Sequence, residues 1–282
     1  MTADAWLRGL DGATIVLYAV SLAAFARAFV LVRHSPSPST LGSLWLAFAV
    51  HTVALLVRGW RIGHLPIVGM YGALWFIAWS VALCFLFLHW RRRAASLGVF
   101  VLPFVVLCLA IPYILFGAPG QAPDLVEQMR RQGVLFAVHI ATALFSYSCF
   151  AIAFAGSLMC LLLDREIHHR RLGFFFQRMP PLETADKINS FATALGVTLL
   201  GIAIVSGAAG LSATRGQTDW NDNAKVITAI LVWLAYAGNL YMMVWGGWRG
   251  RRGATVSIAC FLMVFVFYFV VNLMFARLHG AI

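Results

Sequence analysis

Charge is what this sequence has least of. Asp, Glu, Lys and Arg make up 11% of its 282 residues, while 62% are hydrophobic. A water-soluble chain of this length cannot cover that much apolar surface. No polar stretch between the apolar runs is long enough for a large soluble domain. Carboxylates are scarcer still, at ten Asp and Glu in all, and the apolar runs counted below hold none. A proton-coupled pump or transporter relies on carboxylates inside the membrane, so that class is disfavoured. The phosphate-loop pattern G-x-x-x-x-G-K-[ST], the dinucleotide pattern G-x-G-x-x-G, the nucleophile elbow G-x-S-x-G and the zinc-protease pattern H-E-x-x-H are all missing. So is any C-x-x-C pair. The five cysteines lie inside apolar runs and behave as small buried hydrophobes rather than redox partners or metal ligands. The N-terminal stretch MTADAWLRGLDGA carries Asp4 and Asp11 and lacks the basic segment of a cleavable signal, so it is expected to be mature sequence.

What the chain does have is eight apolar runs, at roughly 13–32, 40–57, 68–88, 97–116, 134–163, 188–213, 226–246 and 253–275. Runs of ~20 apolar residues cross a ~30 Å hydrocarbon core as helices. In lipid each run must be helical, because only a helix satisfies its own backbone. The expected fold is all-α: one polytopic bundle of eight transmembrane helices, residues 1–282 forming a single domain in contact with the lipid bilayer. The fifth run is long enough to tilt or to project from the membrane.

The net charge of +11 does not point to nucleic acid, because the arginines sit in short loops and form no contiguous basic face. They act as topology signals. One set of loops carries Arg33, Arg91–Arg93, Arg165, Arg170, Arg171, Arg178, Lys187, Arg249, Arg251 and Arg252. The other carries Arg8, Arg58, Arg61, Arg130, Arg131, Arg215, Lys225 and Arg277. The richer set is expected to be cytoplasmic, which places both termini outside. The other face then gathers the loop RGWRIGHLP (58–66), the loop 117–133 with a short amphipathic face of Leu125, Val126 and Met129, and RGQTDWNDNAK (215–225). That last stretch is the strongly polar run of the C-terminal third, and it sets Trp220 between Asp219 and Asp222.

The eight histidines divide by the same topology. His34, His89, His168 and His169 accompany the cytoplasmic arginines as a solvated basic surface. His51, His64, His139 and His279 lie in the outer half. An ionisable group inside hydrocarbon usually faces a partner or a cavity. His139 and His279 come from different helices at similar depth, and neutral imidazole is a common haem-iron ligand. Two such rings could clamp one iron. Trp220 would then stack on the macrocycle, Arg58, Arg61 and Arg215 would hold its propionates, and His64 would lie close by. The sixth run, rich in small residues from Gly196 to Gly210, suits close helix packing or a ligand groove equally.

Three stretches resemble the cytochrome c assembly membrane proteins of CcsA, CcmC and CcmF type, with the small HemX- and YpjD-like members nearest. They are RGWRIGHLPIVGMYGALWFIAW (58–79), VLFAVHIATALFSYSCFAIAF (134–154) with His139 and Ser146–Tyr147, and VNLMFARLHG (271–280) with His279. QRMPPLE (177–183) and GWRGRR (247–252) add to the YpjD-like resemblance, which covers about 50–280. It implies haem as cofactor, handled at the outer face of a bacterial inner membrane by a protein that is not an enzyme, alongside other cytochrome c biogenesis proteins. The family's tryptophan-rich loop, ending Trp-x-Trp-Asp-Pro-Lys, falls on the 215–225 stretch. Trp220 takes its first tryptophan position and Lys225 its lysine, while Asp222 stands at the second tryptophan. Tyr241 takes the place of a membrane histidine found in CcsA proteins. The resemblance therefore implies an accessory member, with His139 and His279 as axial ligands and Arg58, Arg61 or Lys225 as propionate contacts. Two other classes stay open: a non-haem scaffold acting through the basic 164–187 loop, and a small-molecule transporter using His51, Ser80, Thr142, Ser146, Ser148 and Thr198 near the midplane.

Overall fold

A computed structural model describes the backbone of residues 2–31, 37–116, 123–169, 173–213 and 220–278, and side chains over 6–31, 37–115, 134–169, 173–210 and 226–266. Among these residues the regular elements are all helices. The elements are α1 (Thr2–Val30), α2 (Pro38–Ile62), α3 (Gly69–Arg92), α4 (Leu97–Phe116), α5 (Pro123–His168), α6 (Leu182–Ala213), α7 (Trp220–Val244) and α8 (Arg251–Leu278). Seven of the eight are long and apolar enough to cross a membrane over their described residues.

The helix ends follow from local chemistry. Ser37 caps α2, its hydroxyl accepting from the Thr40 amide at 3.3 Å, with Pro38 in the first turn where a missing N–H costs nothing. Gly63 closes the same helix in the left-handed conformation. The Pro180–Pro181 break precedes α6, and the Pro181 carbonyl accepts from the Thr184 amide at 2.8 Å.

Helix α5 is the axis of the bundle. At 46 residues and ~1.5 Å per residue it is about 69 Å long, more than twice the hydrocarbon thickness. The expected separate helix around Leu125–Met129 is instead the first part of α5, whose backbone runs without a break from Pro123. The side chains of that face lie outside the described residues. On one side α5 packs against α3 and α4, with α1 and α2 beyond them. On the other it packs against α6 and α8, with α7 beyond. The larger core surrounds Tyr18, Trp75, Phe85 and Leu109, and the smaller one surrounds Phe150 and Tyr236, whose rings stack at 3.7 Å.

A polar chain pins the second half together. Asn239 Nδ2 donates to Ser257 Oγ at 2.7 Å, and Ser257 Oγ donates to Asn189 Oδ1 at 3.0 Å, so α7, α8 and α6 are joined in series. All three residues are buried. Ser257→Ala removes both bonds and leaves Asn239, whose Oδ1 is already unpaired, without this amide acceptor. Its expected cost is about 1–2 kcal/mol, measured as a lowered unfolding midpoint in detergent.

One expectation is corrected here. The first span does not begin at residue 13, and the apolar helices do contain a carboxylate. The helix starts at Thr2 and carries Asp11 into the bundle at 1% exposure. Its partner is Arg58, 47 positions along the chain, so the acid is neutralised within the fold and no carboxylate relay is built from it.

Candidate functional site

His139 is held by two features of α6 set one turn apart. Its Nδ1 lies 2.6 Å from the Ala203 carbonyl oxygen. A carbonyl only accepts, so Nδ1 carries the proton, and in the neutral ring the lone pair is on Nε2. Four residues on, Gly207 leaves the ring its space: a Cβ there would meet His139 Nδ1 at 2.6 Å and Cε1 at 2.8 Å. The i, i+4 spacing places both on one face. Ser206 strengthens the same spot, its hydroxyl donating to the carbonyls of Ile202 at 2.8 Å and Ala203 at 3.1 Å. The result is a half-buried imidazole whose tautomer is set from behind, the arrangement seen when histidine ligates a metal.

A groove of ≈ 650 Å³ runs along α6 next to this point, lined by Leu135, Gly201, Val205, Ala209 and Trp233 among others. Leu135 stands one turn before His139 on α5. Trp233 closes the groove from α7, its indole N–H donating to the Val197 carbonyl at 3.0 Å. The groove is open, with Val205 71% exposed in its lining, and His139 borders it without lining it. The glycines of α6 serve close packing: Gly196 lies under the Phe150 ring, Gly201 faces the Trp233 indole, and Gly207 faces His139.

The other expected site residues do not gather at this point. Arg58 is buried at 7% exposure and pairs with Asp11, whose Oδ2 also accepts from the Tyr71 hydroxyl at 2.9 Å. Its guanidinium lies over the rings of Tyr71 and Trp75, at 5.2 and 4.9 Å. To meet a ligand carboxylate it would have to leave Asp11. Arg61 is exposed and its guanidinium stands 4.8 Å over the Trp6 ring. His64 directs Nδ1 to the Leu65 carbonyl at 3.0 Å. These three belong to the α1–α2–α3 corner, which α3 separates from α5 and α6. Trp220 and Lys225 begin α7, where the backbone alone is described, and His279 lies outside the described residues.

The midplane residues that would make a transporter site are spent on their own helices. Ser80, Thr142, Ser146, Ser148 and Thr198 each donate to a carbonyl three or four positions back. His51 is fully buried between Tyr18 and Trp75, with Nδ1 3.4 Å from the Tyr18 hydroxyl. Tyr241 is 56% exposed on the outside of α7 beside Trp245, so it faces away from the interior. Sequence reasoning did not find Ala203 or Gly207 as partners of His139. Gly207 stood within a recognised small-residue stripe, but a backbone carbonyl has no sequence signature.

Seven helices of membrane-crossing length, with an imidazole fixed through one nitrogen beside an apolar groove, define a multi-pass helical membrane protein with one preorganised histidine. Its family follows from comparison. The sequence model of the cytochrome c assembly protein family matches residues 67–279, and the chain belongs to that family. Among curated relatives, the cytochrome c biogenesis protein CcsA of Prochlorococcus marinus (strain MIT 9303) is 27% identical over 93% of this chain and 92% of its own. The CcsA of Synechococcus sp. (strain CC9605) is 28% identical over 96% and 94%. That of Parasynechococcus marenigrum (strain WH8102) is 29% identical over 83% of each.

Proposed function

We propose that this protein binds and handles haem for cytochrome c biogenesis, with His139 as one axial ligand and His279 as the other. The observation that supports this most directly is the 2.6 Å bond from His139 Nδ1 to the Ala203 carbonyl, which leaves Nε2 as the ligating nitrogen. The donor chemistry fits the group: an imidazole whose Nδ1 is taken by a carbonyl, with no carboxylate beside it among the described residues. Haem supplies an iron with two axial positions and a porphyrin whose edge carries two carboxylates. On this reading Trp220 offers a stacking face and Lys225 offers charge to the carboxylates. Arg58 stays with Asp11, and His64 and Arg61 stay in the α1–α2–α3 corner away from His139.

The reading extends to placement. The membrane is a bacterial inner membrane, the arginine-rich loops lie on its cytoplasmic side, both termini lie outside, and the haem end is the outer one. The protein is an accessory rather than an enzyme. It acts with other members of a cytochrome c biogenesis system, the process for which its CcsA relatives are named.

The test is a visible spectrum of protein purified from haem-replete cells. Wild type should show a Soret band, and His139→Ala with His279→Ala should abolish it. Absence of the band in wild type, or equal haem content in the double variant, would overturn the proposal.

A further inference from the structure

At the arginine-rich end of the bundle, a cavity of ≈ 270 Å³ opens between the end of α1, the α3–α4 turn and the segment leading into α6. Its lining includes Arg92, Arg93 and Arg178 together with Phe25, Phe29 and Met179. No Asp or Glu appears among its described lining residues. Neither Arg92 nor Arg93 has a carboxylate within ion-pair reach among the described residues. Arg178 is anchored, with Nη1 donating to the Phe174 carbonyl at 2.8 Å and Nη2 to the Val30 carbonyl at 3.2 Å. Its Nε is buried and unpaired. Three arginines around a cavity with no anion among its described lining leave positive charge for a ligand to meet.

The backbone gives an independent sign. Arg93 caps α3 in the left-handed conformation, φ 50° and ψ 31°, and is the one non-glycine with positive φ among the described residues. The comparable turns use Gly63, Gly247 and Gly250. Glycine takes that conformation freely, and a side chain there is strained. A cation at this helix end suits the macrodipole and the charge bias of the loops, but an arginine one residue earlier, as Arg92 already is, serves both without the left-handed strain.

Depth identifies the ligand. Trp90, 73% exposed and three residues before Arg93, is an interfacial aromatic of the kind that sits at headgroup level. The cavity lies at the same helix ends, with arginines at the rim and phenylalanines towards the apolar side. We propose that it binds the phosphate headgroup of an anionic phospholipid, with the buried rings of Phe25 and Phe29 as the inner wall of the cavity. A zwitterionic lipid carries a cation that the three arginines would oppose.

The experiment is native mass spectrometry of the delipidated full-length protein in detergent, with thermal unfolding in parallel, on adding phosphatidylglycerol, phosphatidylcholine or inorganic phosphate alone. Wild type should retain phosphatidylglycerol and be stabilised by it, with little response to the other two. Arg93→Gly should lower that retention about tenfold while its lipid-free unfolding midpoint stays the same or rises, because glycine relieves the strained cap. Arg92→Gln should weaken retention in the same direction. Equal retention of both lipids by wild type, undiminished retention in Arg93→Gly, or the same stabilisation from inorganic phosphate alone would each overturn the proposal.

Discussion

Gly207→Ala should strip haem from the protein nearly as completely as removal of His139. The added Cβ would stand 2.6 Å from His139 Nδ1 and 2.8 Å from Cε1, well inside van der Waals contact. The ring must then rotate or withdraw, and either movement breaks the 2.6 Å bond to Ala203 that fixes its tautomer. Losing such a supporting bond costs metal affinity about 10–100-fold. A methyl group on a helix raises helix propensity, so the fold itself should hold. Gly238→Ala, on α7 and away from the α6 groove, is the internal control: its Cβ would meet nothing within 4 Å. The checks are the Soret absorbance per protein and the unfolding midpoint of each variant. Full haem content in Gly207→Ala would show that His139 does not ligate through this pose.

The contrast between these two glycines shows what the sequence could and could not disclose. Apolar runs are long and contiguous, so the helices were legible from hydropathy alone, with α5 visible as the one that outruns the membrane. His139 was legible because a titratable ring in an apolar run is costly. Its support was not, because Ala203 acts through a backbone carbonyl and Gly207 through an absence of atoms. Arg58 shows the opposite failure. It stands in a polar stretch that looks like an outer-face loop, yet α2 continues to Ile62 and turns it inward onto Asp11. That pairing depends on a contact 47 residues distant, which no local pattern encodes. Asp11 itself looked like part of a polar N-terminal tail, because nothing before it marks a helix start. The midplane hydroxyls misled in a milder way. Spaced along several spans they suggest a polar site, but each bonds back into its own helix.

The Asp11–Arg58 pair yields the second large effect, and its sign differs between single and double variants. Both partners are buried, at 1% and 7% exposure, so each depends on the other to stay charged away from water. Arg58→Ala leaves the Asp11 carboxylate with Tyr71, 2.9 Å away, as its remaining side-chain donor. Breaking a buried pair in this way costs about 3–5 kcal/mol. Asp11→Ala should cost less. The stranded guanidinium still has the faces of Tyr71 and Trp75 at 5.2 and 4.9 Å, and cation–π contact of this kind is worth about 0.5–2 kcal/mol. Arg58 also lies one turn from the end of α2, so its long stem can carry the charge towards the surface, whereas the short Asp11 side chain cannot follow. The double variant Asp11→Leu with Arg58→Met removes both charges and keeps apolar volume, so it should be more stable than Arg58→Ala alone. Unfolding midpoints of the four proteins in detergent close the cycle, with haem content read alongside. Because this corner is separated from α5 and α6 by α3, Asp11→Ala and the double variant should keep their Soret band while their midpoints move. An Arg58→Ala protein as stable as wild type would mean that Asp11 is carried in its neutral form and that the three helices are joined by packing rather than by charge.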